Sequence, residues 1–275
     1  MMGRLAVVAR LEFVSVARLR WIRLFAVAFA LLAVGAAWSA GSARELMGVD
    51  GFARTTVALV PLVLLLVPLV AILLGVAGQT EEPGADAFLH AQPVTRFEVL
   101  LGRWAGQGAA VGCALAAGFG AGAAVVALGA GLADLPRFLV FAAATFALAL
   151  AFLAIAALVA ALVERRVAAI ATGAFIWFCC VLLFDAMALA SAVWLTGRAG
   201  SRLLMASVFA NPADLMRVVT LSLAGTPHLL GAAGESWHRF LGGPEQAALL
   251  ACAALGLWIA APLAAARLAI ARRDL

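Results

Sequence analysis

The sequence contains no lysine, since all 19 of its basic residues are arginine. A P-loop needs a lysine that reaches the β- and γ-phosphates of a nucleotide, and Schiff-base catalysis needs a lysine amine. Both are therefore excluded in this chain. We predict that it carries no catalytic or nucleotide-binding motif, binds no cofactor of its own and is not an enzyme.

Charged residues are scarce as well, at 12% of the chain, whereas 66% of the residues are hydrophobic. A soluble domain is normally about a quarter charged and about half apolar. The 26 glycines and many alanines suit membrane helices, in which small residues let backbones approach closely. The composition indicates an integral membrane protein.

Potential metal ligands are few. The four cysteines, Cys113, Cys179, Cys180 and Cys252, lie in apolar runs without zinc-site spacing, and we expect no disulfide framework. Small buried cysteines are the favoured interpretation. A soft-metal path through Cys179, Cys180 and Met187 is the alternative, although adjacent helical side chains point about 100° apart.

The three histidines fall outside the apolar runs, which excludes bis-histidine haem ligation inside the bilayer. His228 and His238 are interpreted as surface residues. Metal binding together with Asp214 and Glu235 is the alternative, but this spacing matches no recognised ligand pattern. We therefore expect no metal site.

Five uncharged stretches and a sixth with a single charge, Asp185, are long enough to cross a bilayer, which takes about 20 apolar residues. A cleaved signal peptide is disfavoured for the first, because its apolar run is too long and begins too far from the N-terminus. The predicted segments are Leu24–Arg44, Thr55–Thr80, Trp104–Ala133, Phe138–Val163, Val167–Trp194 and Gln246–Ala266. The predicted fold is all-α, a single membrane domain over residues 1–275 with six transmembrane helices.

The arginines predict the orientation. With the N-terminus inside, 12 arginines fall in cytoplasmic segments, against Arg44, Arg54 and Arg137 in short external ones. Four more lie in one long external loop, which counts less toward orientation. Both termini are therefore predicted to be cytoplasmic.

Three segments outside the spans have a distinct character. Residues 1–22 alternate arginine with apolar residues and predict an amphipathic helix in the cytoplasmic interface. Residues 79–103 form the longest cytoplasmic loop, with a short helix over Ala85–Ala91 that ends before Pro93. Residues 197–245 form an external loop with a helix over Ala213–Ser222.

Asp185 is a functional candidate because an acid inside a membrane helix is costly. The alternative is a structural role near the outer end of a tilted helix, where the carboxylate bonds a neighbour. The sequence leaves both open.

Two of these segments resemble the ABC-2 class of ATP-driven transporter permeases. Ala9-Arg10-Leu11-Glu12-Phe13 with Arg18 is similar to the interfacial elbow helix that opens that class. Residues 81–84 (EEPG), 92–96 (QPVTR) and 101–103 (LGR) are similar to its first cytoplasmic loop. In that class the short helix of the loop docks on the ATPase subunit.

Within that class the chain resembles the NosY family. Residues 181–185 (VLLFD) are similar to that family's apolar run ending in Phe-Asp. Residues 211–221 (NPADLMRVVTL) are similar to an Asn-Pro-x-Asp-x-x-Arg segment in its last external loop.

The resemblance implies a permease subunit in the bacterial inner membrane that helps mature the copper centres of nitrous oxide reductase, by supplying copper or sulfur. It implies a homodimer in membrane lipid, a cytoplasmic ATPase that binds ATP and Mg, a periplasmic β-helical partner, and no nucleic acid. The implied ATPase-coupling residues are Glu81, Glu82, Gly84, Phe88, Leu89, Pro93 and Arg96. The implied periplasmic contact residues are Asn211, Pro212, Asp214 and Arg217.

Three alternatives stay open from the sequence. One is an ABC-2 exporter of lipid, drug or polysaccharide. Another is an ion-coupled secondary carrier that uses Asp185, although such carriers usually show paired broken helices. The third is a structural membrane anchor of a redox complex.

Overall fold

The computed structural model describes residues 2–42, 51–80, 95–132, 135–184, 186–187, 190, 206–223 and 243–273. All regular structure within these ranges is helical. The helices are α1 (Met2–Arg18), α2 (Arg20–Ser42), α3 (Gly51–Gln79), α4 (Arg96–Ala130), α5 (Leu135–Leu162), α6 (Arg166–Phe178) continued by a π-helical segment (Cys179–Leu183), α7 (Pro212–Leu223) and α8 (Pro244–Arg273).

Six helices in the described ranges are long and apolar enough to cross a membrane: α2, α3, α4, α5, α6 with its π-helical segment, and α8. The six-helix prediction is therefore confirmed. We call the end of the bundle at which α3 ends and α4 begins the inner end, and the opposite end the outer end. The arginine distribution predicts that the inner end faces the cytoplasm.

Helix α4 begins at Arg96, ahead of the apolar run that was predicted to start at Trp104. A capping box explains the earlier start. The Glu98 amide donates to Thr95 Oγ1 at 3.2 Å, and the Thr95 amide donates to Glu98 Oε2 at 2.9 Å. These bonds satisfy amides of the first turn, so the helix does not need an apolar environment to begin.

Helix α5 forms the centre of the bundle and packs against α3, α4, α7 and α8. Its buried residues include many alanines, which let neighbouring backbones approach closely. Toward the outer end, Phe119 packs edge-on against Phe29, Phe138 and Phe141, with ring centroids 5.1–5.6 Å apart. Small residues and aromatic rings together fill the core.

Three tryptophans join neighbouring helices through their indole N–H groups, which need an acceptor inside a bundle. Trp104 donates to the Leu150 carbonyl at 3.2 Å, and Trp177 donates to the Leu65 carbonyl at 3.1 Å. Trp258 donates to the Phe209 carbonyl at 3.0 Å. These bonds fix α4 on α5, α6 on α3, and α8 on the chain just before α7.

Helix α7 agrees with the predicted helix over Ala213–Ser222, but its position was not predicted. It packs against α5 and α8, and its residues from Pro212 to Leu221 are almost all buried. Trp258, which bonds Phe209, lies about 21 Å along α8 from Pro244, at about 1.5 Å per residue. The external segment therefore enters the bundle well below its outer end.

Candidate functional site

At the inner end, α1 lies directly on α4 because two glycines of α4 leave room for it. A methyl group on Gly102 would stand 2.6 Å from Val8 Cγ1. A methyl group on Gly106 would collide with the carbonyl oxygen of Ala9. The backbone of α1 thus occupies the space that side chains would otherwise fill.

A buried polar pair joins the two helices at this crossing. Gln107 of α4 donates its amide Nε2 to Glu12 Oε1 at 2.9 Å, and Gly78 of α3 lies against both groups. About two turns of α4 away, Gln79 donates to the Leu100 carbonyl at 3.2 Å. The end of α3, the start of α4 and the middle of α1 therefore form one connected unit, which we call the inner junction.

Burial raises the pKa of Glu12, while the hydrogen bond from Gln107 and the positive charge of Arg103 lower it by less. The raised pKa means that burial stabilises the neutral carboxyl relative to the charged carboxylate. Protonation of Glu12 as the pH falls should therefore favour the packed junction, and ionisation as the pH rises should weaken it. Gln107 Oε1 is buried and has no hydrogen-bond partner within the described ranges.

Of the residues implied to couple to an ATPase, the structure places only Arg96, which is exposed at the first position of α4. Glu81, Glu82, Gly84, Phe88, Leu89 and Pro93 lie outside the described residues. Their flanks are placed, because Thr80 and Thr95 sit at the inner junction. Next to Arg96, Phe97 lies under the guanidinium of Arg267 of α8, 5.2 Å from the ring centroid.

We predict that Gly106→Ala detaches α1 from α4, because the added methyl group meets the Ala9 carbonyl and other backbone atoms that cannot rotate away. The expected cost is about 1–3 kcal/mol, and it should appear as faster amide hydrogen exchange in α1. Gly120→Ala in the same helix is the matched control, since nothing lies within 4 Å of its added methyl group. Equal exchange in the two variants would contradict the packing role of Gly106.

A second polar cluster surrounds the start of α7. Asn211 Oδ1 accepts the Ala213 amide at 3.1 Å and so caps the helix. Asn211 Nδ2 donates to the Cys180 carbonyl at 2.7 Å and more weakly to Asp214 Oδ2 at 3.4 Å. Asp214 also pairs with Arg217 at 3.2 Å. We call Asn211, Asp214 and Arg217 the α7 cluster.

The α7 cluster contacts an irregular part of α6. From Cys179 to Leu183 the helix widens to π geometry, and the Phe184 amide bonds the Cys179 carbonyl. A π-turn displaces carbonyls from the ordinary helical ladder, and such turns are frequent at functional sites. Asn211 supplies a donor to one carbonyl of this segment. Asp185, the acid singled out in the sequence, follows directly but lies outside the described residues.

Most of the implied periplasmic contact residues are buried inside the bundle. Asn211, Pro212 and Asp214 are buried, with Asn211 only 1% exposed, whereas Arg217 is partly exposed. Contact with a periplasmic partner stays a prediction. Sequence reasoning found the α7 cluster but missed Glu12 with Gln107, although a glutamine within an apolar run was a visible signal.

The prediction that the chain has no metal site can be compared only with the residues that the structure describes. The described residues contain no group of three His, Cys, Asp or Glu side chains that could hold a metal ion. The four cysteines are free thiols, and Cys113 and Cys252 are exposed on the bundle surface. His228 and His238 lie outside the described residues.

The sequence matches the family model described as "ABC-2 family transporter protein" over residues 6–275. The chain belongs to the ABC-2 family of transporter permeases. ABC-2 permeases are membrane subunits of ABC transporters and work with a separate subunit that hydrolyses ATP. The prediction that this chain is not itself an enzyme is thereby confirmed.

Two curated ABC-2 permeases are similar to the chain over most of its length. The "Probable ABC transporter permease protein NosY" of Pseudomonas aeruginosa is 33% identical over 275 residues, which cover 98% of each chain. The protein of the same name from Stutzerimonas stutzeri is 32% identical over 225 residues, which cover 78% of this chain and 80% of the relative. The resemblance to the NosY family is thus confirmed.

Proposed function

We propose that this ABC-2 permease serves the maturation of the copper centres of nitrous oxide reductase, as the membrane subunit of a transporter that supplies copper or sulfur. The observation that carries the proposal is 33% identity to a NosY permease over nearly the whole of both chains. The proposed assembly is a homodimer in the bacterial inner membrane with both termini in the cytoplasm. It includes a cytoplasmic ATPase and a periplasmic β-helical partner.

The inner junction supports a mechanical role in this assembly. Residues 81–94 connect α3 to α4, and the two flanks are tied together by the bond from Gln79 to Leu100. The bond from Gln107 to Glu12 extends the unit to α1. A rigid element that moves as a unit can carry displacement from a docked ATPase into membrane helices. The chain itself performs no bond chemistry in this scheme.

We propose that this displacement reaches the α7 cluster. It joins α6 to α7, while α7 packs on α5 and α8. A shift of α5 or α8 would therefore reach both α7 and the π-helical segment. We propose Arg217, the partly exposed member of the cluster, as the contact with a periplasmic partner.

Complementation tests the proposed function. A denitrifying host that lacks its own NosY permease should regain copper-loaded nitrous oxide reductase when this chain is expressed with its ATPase subunit. Copper per enzyme, measured by metal analysis of the purified reductase, is the readout. Chains that insert and bind the ATPase, yet leave the reductase without copper, would assign the permease to another substrate. Restoration without the ATPase would favour the ion-coupled carrier.

A further inference from the structure

Helices α1 and α2 each present an apolar strip on the outside of the bundle. On α2 the strip consists of Leu24, Val27 and Leu31, each at least 60% exposed. On α1 it consists of Val7, Leu11 and Val14. The spacings of three, four and seven residues place each strip on one face of its helix. In a membrane-spanning chain, exposed apolar side chains of this kind contact lipid.

Arginines surround the corner between the two strips. Arg18 ends α1, Leu19 breaks the helix, and Arg20 starts α2, with Arg23 one turn on. All three arginines are exposed, and Arg23 donates to the Arg18 carbonyl at 3.0 Å. This bond ties the Arg23 side chain to the end of α1, beside the break at Leu19. We call Arg18, Arg20 and Arg23 the corner arginines.

No carboxylate in this part of the sequence neutralises them. Glu12 is the one acidic residue between positions 2 and 42, and it is directed into the inner junction, where Gln107 bonds it. Within residues 2–42, the exposed arginines of α1 and α2 therefore outnumber the acidic residues and give these helices a net positive charge. Arg10, also exposed, adds to it.

The depth of the corner follows from its neighbours. Leu24 begins the lipid-facing strip of α2, and Trp21 lies less than one turn before it with 82% of its surface exposed. Tryptophan is enriched at the boundary between hydrocarbon and headgroups. The corner arginines therefore sit at the level of the lipid phosphates at the inner end of the bundle.

We infer that the corner arginines bind the headgroup phosphates of acidic phospholipids, with Trp21 and the two apolar strips seated in the same leaflet. Guanidinium groups bond phosphate oxygens in charge-assisted pairs, and basic residues at a membrane surface favour anionic lipids. The inference rests on the charge and exposure of α1 and α2. It is independent of the substrate proposed above.

The test compares acidic and neutral lipid binding to the full-length chain. The purified chain is placed in nanodiscs that contain both phosphatidylglycerol and phosphatidylcholine. Native mass spectrometry of the chain released from the nanodiscs then counts the bound lipids of each kind. Arg18→Gln with Arg20→Gln should lower the preference for phosphatidylglycerol about fivefold. The control, Arg165→Gln with Arg272→Gln, removes two other exposed arginines and should keep the preference.

Several outcomes would overturn the inference. An equal preference in both double variants would do so. So would a variant that binds the ATPase less well while its lipid preference is unchanged, because the corner would then be an ATPase contact. If the variant with Arg18→Gln and Arg20→Gln does not fold, the lipid preference of the wild-type chain tests the inference instead. Its preference should weaken at about 0.5 M salt and resist added inorganic phosphate. A salt-independent preference, or displacement by free phosphate, would contradict a lipid headgroup site.

Discussion

Phe88→Ala is expected to weaken association with the ATPase subunit roughly thirtyfold or more, while membrane insertion stays intact. A helix docks in a groove through apolar anchors, and Phe88 and Leu89 are the large apolar residues of the predicted helix over Ala85–Ala91. Aromatic side chains dominate interface hot spots, where truncation typically costs about 2 kcal/mol or more. Titration of the ATPase subunit against purified, reconstituted chain measures the change.

Two variants separate this docking role from simple loss of structure. Phe88→Leu keeps most of the apolar volume and should retain much of the affinity. Phe97→Ala removes a nearby, partly buried phenylalanine that lies under the exposed Arg267, so it should disturb the inner end without removing a docking anchor. Wild-type affinity in Phe88→Ala would mean that the residue inserts into the lipid interface instead.

If the ATPase subunit docks on residues 81–94 as proposed, the inner junction would carry its effect into the bundle. Two hydrogen bonds, from Gln79 to the Leu100 carbonyl and from Gln107 to Glu12, connect the ends of α3 and α4 to α1. Helix α1 continues through the corner into α2, and α2 packs along α4. Force applied between residues 81 and 94 therefore reaches three elements that are already joined by hydrogen bonds.

The membrane helices were predictable because a bilayer imposes a length and a composition that can be recognised in a single segment. Helix α7 was predictable for another local reason, since Asn211-Pro212 is a strong start signal. The charge-free stretch begins at Trp104, whereas α4 begins eight residues earlier, at Arg96. The apolar run marks where lipid begins, whereas Thr95 and Glu98 decide where the helix begins.

Other features depend on pairs of residues far apart in the sequence. The contact of Glu12 with Gln107 spans 95 positions, and that of Asn211 with Cys180 spans 31. No periodicity in either segment indicates its partner. The depth of α7 has the same origin, because it depends on the bond from Trp258 to the Phe209 carbonyl. The π-helical segment at Cys179–Leu183 carries no glycine or proline that would have marked it.

Asn211→Ala is expected to destabilise the outer half of the bundle by about 3 kcal/mol. The change removes the cap of α7, which is worth about 1 kcal/mol, and leaves the Cys180 carbonyl without its donor, which costs about 1–3 kcal/mol in a buried site. Asp214 loses a neighbour as well. The midpoint of thermal unfolding in detergent, with hydrogen exchange in α7 and at residues 179–184, measures the loss.

Two substitutions divide this effect into its parts. Asn211→Asp keeps an oxygen that can cap α7 but loses the donor to the Cys180 carbonyl and sets a second carboxylate beside Asp214, so it tests the contacts of Asn211 other than the cap. Arg217→Gln removes the partly exposed partner of Asp214 and should cost less than about 1 kcal/mol. If Asn211→Asp is as stable as the wild type while Asn211→Ala is not, Asn211 acts only as a helix cap. In that case α7 and the π-helical segment are not coupled through it, and movement of α5 or α8 would reach α6 by another route.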